Sequence, residues 1–431
     1  MGGRVSARVT DASGVTDASG ATGAPGLDAA ALRADASALL PDLIALRRDL
    51  HRHPEVGFAL PRTQAAVLAA LEPLVPDGLE LTTGVSQVAG ARLGSVTAVL
   101  RGAKPGPAVL LRADMDALGI VEETGLEYAS ENGAMHACGH DLHVAGLVGA
   151  ARLLTARRSQ LAGSVVFMFQ PGEEAGGGAP YMIEEGVLDA AGSRVEAAYG
   201  IHVMPGAPGE FSTRPGPLMG GANVFRVRVT GRGGHGSRPH EAVDPVPVLA
   251  EIVLALQTYA TRRVSVFDPV VISVTQLSAS EVLNVIPERA ELGATVRTLS
   301  VDAVERLRAD LPALAASIAE AHGCLAESTF EVVYPVTVND EASAHATLAT
   351  LADAFGEARV RRLEQPMMAS EDFSFVLREV PGTFVFLGAT PAHIDAADAE
   401  MNHSPRAVFD DGVLADQAAA LAVLALTHLR G

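Results

Sequence analysis

The sequence predicts an α/β protein: a mostly parallel, twisted sheet with helices on both faces, interrupted by a ferredoxin-like α+β domain. Three observations carry this reading. Short apolar runs rich in β-branched residues alternate with helical periodicity, as strands joined by crossover helices do. Between Arg214-Pro215-Gly216-Pro217 and Tyr334-Pro335 the runs instead alternate apolar with polar residues, the mark of half-exposed antiparallel strands. A length of 431 residues fits two or three domains at about 150 residues each.

The elements follow in order. Helical periodicity runs from Leu27 to about His51, with a break or restart expected at Pro41, because the residue before a proline avoids the α region. A second helix fits Thr63 to Leu71, with Pro73 beyond it. Strands are expected at Val96 to Leu100, Ala108 to Leu111, Ser164 to Phe169 and Ala197 to Val203, with a helix from about Asp141 to Ala156. The interruption reads as a strand (Asn223 to Thr230), a helix (Pro245 to Thr261), two strands (Val270 to Gln276 and Ala290 to Thr298), a helix (Val301 to Ala321) and a strand ending near Val333. That β-α-β-β-α-β order is ferredoxin-like. The expected division is a catalytic domain formed by 27–216 and 335–431, with an inserted domain at 217–334. Residues 1–26, where VTDASG occurs twice in tandem, hold too little apolar surface to offset their ordering entropy and read as a disordered tail.

Composition excludes several functions. The formal charge of -19 and an aromatic content of 4% argue against nucleic acid, which calls for basic patches and stacking platforms. The single lysine, Lys104, is followed by Pro105 and Gly106, so the chain has neither a P-loop nor a well-placed Schiff-base lysine. Two cysteines make no disulfide framework, so a functional cysteine is a ligand or a nucleophile. The tail has no apolar core of a secretory signal, and no run reaches the roughly 18 apolar residues of a membrane span. The expectation is a soluble, cytoplasmic protein, with the run Ala418 to Leu426 as a buried helix.

Metal-binding residue types gather where the apolar strands end. Arg112-Ala113-Asp114-Met115-Asp116 follows one strand, and Gln170-Pro171-Gly172-Glu173-Glu174 follows another. His202 lies in a third, while His136-Ala137-Cys138-Gly139-His140-Asp141 and Asn402-His403 complete the set. Open α/β sheets bind ligands beyond the carboxyl ends of their strands, so these groups can converge. Cys, His and Glu together are zinc chemistry, with manganese or cobalt also suited. Taken singly, each has a blander reading: loop acids, a solvated pair, a core histidine, a surface histidine. Five signals in one α/β frame outweigh those. Gly231-Arg232-Gly233-Gly234-His235-Gly236 matches a dinucleotide fingerprint, but Pro239 and Pro245 keep the next helix from opening there, so it reads as a flexible turn presenting His235. His51 and His53 read as a helix end suited to the macrodipole, without chemistry. Cys324 reads as packing, and His143 as core or as support for the ligands.

The run Leu46 to Glu55, RADMDAL from Arg112, HACGHD from His136, QPGEE from Gln170, GGHGSRPH from Gly233, NVIP from Asn284 and SEDFS from Ser370 resemble the metal-dependent aminoacylase/carboxypeptidase amidohydrolases. They are most similar to the branch holding hippurate hydrolases, N-acyl-amino-acid deacylases and auxin-conjugate hydrolases. The segment Thr83 to Gly94 is longer than that pattern, and the repeat tail lies outside it. The resemblance implies two divalent ions, zinc or manganese, on Cys138, His140, Glu174, His202 and His403, with Glu173 as general base and Asp114 and Asp116 as supporting or assisting acids. It also implies that the inserted domain is a lid that pairs two subunits. His235 would then reach a neighbouring site, with Asn284 and Arg297 on the substrate. The implied reaction is hydrolysis of an N-acyl amino acid. A dipeptidase or an N-acetyl-diamino-acid deacetylase is the alternative within the family. A cysteine amidase using Cys138, with His140 or His136 as base, is the alternative outside it.

Overall fold

The structure, a computed structural model, describes residues 28–395 and 397–430. The tandem repeat lies outside them. The main sheet has eight strands in the order Leu79–Thr83, Val96–Arg101, Ala162–Gln170, Lys104–Asp114, Ala197–Met204, Gly382–Gly388, Phe211–Thr213, Val360–Arg362. Its four central strands, Ala162–Gln170 to Gly382–Gly388, pair in parallel. They are buried on both faces and apolar nearly throughout, which is why they read as continuous runs rather than alternations.

Helices Ala29–Arg52, His140–Ala156 and Val413–His428 pack together over one face and share its apolar core. Their approach is close. A Cβ at Gly149 would stand 2.7 Å from the Cβ of Ala418 and 2.9 Å from Leu43. The C-terminal aliphatic run is indeed a buried helix. Ala179–Glu184 and Phe373–Glu379 cover the other face.

The expected break at Pro41 does not occur: Ala29–Arg52 is one helix with Pro41 inside it. Proline in a helix interior costs about 3 kcal/mol. The buried residues Leu32 and Ala36 on one side and Leu43 and Leu50 on the other all dock on the same core, and that packing overrides the local preference.

The inserted segment forms a four-stranded antiparallel sheet in the order Val271–Ser278, Arg289–Thr298, Gly221–Thr230, Leu325–Tyr334. Helices Pro245–Arg262 and Val301–Ala321 cover one face, where Phe225, Val227, Val229, Ile252 and Leu311 are buried. This is the ferredoxin-like order. Gly216–Met219 pairs with Thr337–Asn339 where the chain enters and leaves the segment. Thr83 to Gly94 holds the small hairpin Gln87–Val88 and Ala91–Arg92, tied down where the Glu185 carboxylate accepts the main-chain N–H of Val85 and Ser86.

Candidate active site

The carboxyl ends of the parallel strands bring the predicted residues together. Asp114 closes Lys104–Asp114, Glu173 and Glu174 follow Ala162–Gln170, and His202 lies near the end of Ala197–Met204. Cys138 and His140 flank Gly139, which has φ +82°. A Cβ there would stand 2.3 Å from Val203, so the tight turn into helix His140–Ala156 requires glycine.

Hydrogen bonds assign the histidine tautomers. Nδ1–H of His140 donates to the main-chain carbonyl of Asp116 at 2.8 Å, and buried Nε2 has no partner. Nδ1–H of His202 donates to the carbonyl of Val203 at 2.7 Å, leaving Nε2 facing Sγ of Cys138 at 3.5 Å. Both rings therefore turn Nε2 toward the cluster, where loss of a proton from His140 would free its lone pair. His143 does not: Nδ1–H donates to Asp114 at 2.5 Å and Nε2 accepts the N–H of Val203 at 2.8 Å. It is a neutral brace between two strands and cannot be a ligand. Nε2 of His403 lies 3.0 Å from the buried Oε1 of Glu174, an ion-pair contact rather than a well-angled hydrogen bond. Ligand atoms of Cys138, His140 and Glu174 lie within 4.8 Å of one another. Sulfur, imidazole and carboxylate groups that converge are what a metal site requires, and this set suits zinc or manganese.

Asp116 organises this cluster. Its carboxylate oxygens accept the main-chain N–H of Glu173 at 2.9 Å and of Glu174 at 3.1 Å, while its carbonyl holds His140. Asp114 instead pairs with Arg112 at 2.7 Å and with His143. Arg112 is buried and also donates to Gln170, Glu371 and Asp372, at 3.0, 2.8 and 2.7 Å. Asp372 takes Gln170 and the N–H groups of Gly178 and Ala179 as well. Sequence reasoning passed over Arg112, Glu371 and Asp372. A charged arginine within an apolar strand was the available signal, since a buried guanidinium demands carboxylate partners.

Burial, then Glu371, Asp372 and Glu174, push the Glu173 carboxyl well above its ordinary range. Burial pushes Glu371 up to about 8. Burial would lower the His140 pKa, but Asp114, Asp116 and Cys138 outweigh it and raise it well above the usual histidine value. Asp114, Glu371 and Asp372 share the single Arg112 guanidinium, and Asp116, Glu173 and Glu174 stand at the same strand ends, an excess of carboxyl groups that bound cations would offset.

His51, read as a helix end, is buried between two carboxylates: Nδ1 faces Asp141 at 2.7 Å and Nε2 faces Glu122 at 3.1 Å. Arg47 lies 2.8 Å from the same Asp141 oxygen. This network anchors the residue that follows His140.

A cavity of about 630 Å³ opens beside the cluster, bounded by Cys138, Glu173, Glu174, His202 and His403. Arg297, Ser370 and Glu371 form its other polar border, with Arg297 donating to the Ser370 hydroxyl. Met204, Met219, Met367 and Phe386 supply an apolar wall. His235 and Asn284 are not brought there. Both are exposed at one tip of the inserted segment, where His235 pairs with Val285 and Gly236 donates to the Asn284 carbonyl at 2.9 Å. A larger hollow of about 860 Å³ lies on the open face of the inserted sheet, but both of its arginines are paired, Arg226 with Glu331 and Arg228 with Glu291.

The model of peptidase family M20/M25/M40 matches residues 110–427. The chain belongs to this family. Thermostable carboxypeptidase 1 of Saccharolobus solfataricus is 36% identical over 403 residues, 92% of this chain and 97% of that one. N-acetylcysteine deacetylase of Bacillus subtilis is 36% identical over 356 residues, 80% of this chain and 88% of that one. The crystal structure of the Bacillus subtilis YXEP protein, described as a dinuclear metal-binding peptidase of family M20, superposes with a TM-score of 0.77 at 33% identity, covering 91% and 99% of the two chains. This M20 chain is a metal-dependent amide-bond hydrolase, and no helix among its described residues is long and apolar enough to cross a membrane.

Proposed function

We propose that this M20 enzyme hydrolyses N-acyl amino acids, with two divalent ions held by Cys138, His140, Glu174, His202 and His403. The observation that carries the reading is the cavity: it is bordered by the Cys138, His202, Glu174 and His403 cluster, by the Arg297 guanidinium and by an apolar wall. The span suits a small substrate with one carboxylate and an uncharged acyl group. Bound divalent ions would supply a water of lowered pKa and polarise the amide carbonyl. Glu173, buried and facing the cluster, takes a proton from that water and passes it to the leaving nitrogen. Arg297 pairs with the free carboxylate, and Ser370 fixes the guanidinium. Asp116 holds His140, Glu173 and Glu174 in register, and Asp114 does the same for His143.

The cysteine-amidase reading leaves Glu174 and His403 without a task, although they stand 3.0 Å apart beside Cys138. Both ring nitrogens of His136 are buried and unpartnered, so that histidine does not pair with the thiol.

We further infer a homodimer through the inserted domain. Val271–Ser278 is an edge strand with Val271 and Leu277 exposed, and Leu254 is exposed on the neighbouring helix. Exposed apolar side chains along an unpaired edge suit a second copy. His235 and Asn284, at the exposed tip, would then serve the partner's site.

The test is a hydrolysis screen over N-acetyl, N-benzoyl and N-indoleacetyl amino acids and simple dipeptides, with zinc, manganese or cobalt supplied in turn. Metal-dependent release of free amino acid from at least one N-acyl series is expected. Cleavage of dipeptides alone would overturn the substrate assignment, and full activity that survives metal removal but not thiol alkylation would overturn the mechanism.

A further inference from the structure

We propose that Glu371 accepts the N–H of the scissile amide and stays on the leaving nitrogen as the C–N bond breaks. This rests on the N-acyl amino acid reading above. Three placements carry it. Glu371 is buried yet borders the cavity, and its carboxylate lies within 4.8 Å of that of Glu173. One oxygen is committed: Oε1 accepts from Arg112 at 2.8 Å and from the main-chain N–H of Phe373 at 2.9 Å. The other has no hydrogen-bond partner among the described residues. Finally, Glu371 follows Ser370, the residue that Arg297 grips.

The substrate's own connectivity completes the argument. In an α-amino acid a single carbon separates the carboxylate from the nitrogen. A carboxylate held by Arg297 beside Ser370 therefore places the nitrogen next to Glu371, while the carbonyl carbon lies toward the ligand cluster. Glu173 lies within 4.8 Å of Glu371 and lines the same cavity as the ligand cluster. The nitrogen then meets two carboxyl groups with different tasks: Glu371 takes the N–H already present, and Glu173 brings the additional proton. Arg112 and Phe373 fix the Glu371 rotamer, so the acceptor is aimed before substrate arrives, which lowers the ordering cost of binding. Burial favours the neutral carboxyl of Glu371, but cations bound at the adjoining cluster act in the opposite sense.

The experiment compares two non-hydrolysable inhibitors of the metal-loaded enzyme, a phosphonamidate and its phosphonate twin, which differ only in N–H against O. The acyl group and amino acid are those turned over fastest in the screen. A hydrogen bond to a charged acceptor predicts that the wild type binds the N–H form about 10- to 100-fold more tightly. Glu371→Ala should bring that ratio near one while moving the affinity for the oxygen twin only a few-fold, and Glu371→Gln should fall between. The ratio is independent of how much protein folds, and metal content by elemental analysis should stay unchanged. A residue that only neutralises Arg112 would weaken both inhibitors equally. An unchanged ratio in Glu371→Ala, or a wild type that prefers the oxygen twin, overturns the proposal alone. Failure of either inhibitor to bind the wild type overturns the substrate reading and this inference with it.

Discussion

The hydroxyl of Tyr334 donates to the main-chain carbonyl of Glu173 at 2.5 Å. Tyr334 ends the last strand of the inserted sheet, immediately before Pro335 returns the chain to the main body. One hydrogen bond thus joins the inserted segment to the turn bearing the proposed base. Tyr334→Phe should keep its metal, lose about 1 kcal/mol of stability, and lower kcat by up to about tenfold. Steady-state kinetics with thermal melting checks this. A kcat equal to wild type would mean that the tie does not position Glu173.

Glu173 and Glu174 are neighbours to which separate tasks are proposed. Glu173→Gln should lose turnover by two to four orders of magnitude, roughly the worth of a general base, and retain metal. Glu174→Gln should lose metal affinity first. Elemental analysis of both purified variants decides it, and an equal fall in metal content would contradict the division.

Metal uptake should depend on pH through His403. In the metal-free protein Cys138, then Glu174, raise its pKa to about 10, so the ring carries a proton at neutral pH. A metal takes Nε2 only after that proton leaves. Apparent zinc affinity should therefore rise with pH toward that value, by about tenfold per unit for each proton displaced. Competition titrations at several pH values should show a slope lower by about one in His403→Ala. An unchanged slope would remove His403 from the ligand set.

His51 supplies a stability prediction of the opposite sense. Burial would lower its pKa, but Asp141 and Glu122 raise it above 6.5. A raised pKa gives stability that is fully present below the unfolded value and is lost as pH rises through the folded value. His51→Gln should accordingly cost more in melting temperature at pH 6 than at pH 9. A cost that does not shrink with rising pH would show that His51 acts by packing alone.

The dimer is tested by complementation. Glu173→Ala and His235→Ala subunits, each nearly inactive, are unfolded and refolded together. If His235 serves the partner's site, each mixed dimer has one complete site, and random pairing returns about a quarter of wild-type activity. No recovery, with mixed dimers verified by mass, would place His235 in its own subunit's service or in none.

What the sequence disclosed was what local periodicity and residue type encode. The apolar runs Ala108 to Leu111, Ser164 to Phe169 and Ala197 to Val203 marked parallel strands, and the alternation from Asn223 to Thr230 marked a strand with one exposed face. Long-range contacts were not legible. Nothing local shows that Arg112 meets Glu371 and Asp372, some 260 residues on. The work of Asp116 was hidden because its partners are main-chain N–H groups, which every residue but proline possesses. His51 looked like a helix terminus because both of its partners, Asp141 and Glu122, lie on other segments. Pro41 misled in the same way, since burial on either side of it outweighed its local cost.

Strand Gly382–Gly388 lies between Ala197–Met204 and Phe211–Thr213, joining two pieces of sheet made far earlier in synthesis. A ribosome must therefore deliver nearly the whole chain before the main sheet can close. Until then Ala197–Met204, which carries His202, is an open edge, a template for wrong pairings. The inserted segment has no such wait, because all four of its strands lie between 221 and 334. The nascent chain can complete its smaller fold while its larger one is still open. The proposed ligand His403 emerges later still, so the ligand set closes only after the last sheet strand has been made, and a chain stalled or truncated before it would carry the accessory fold without a working site.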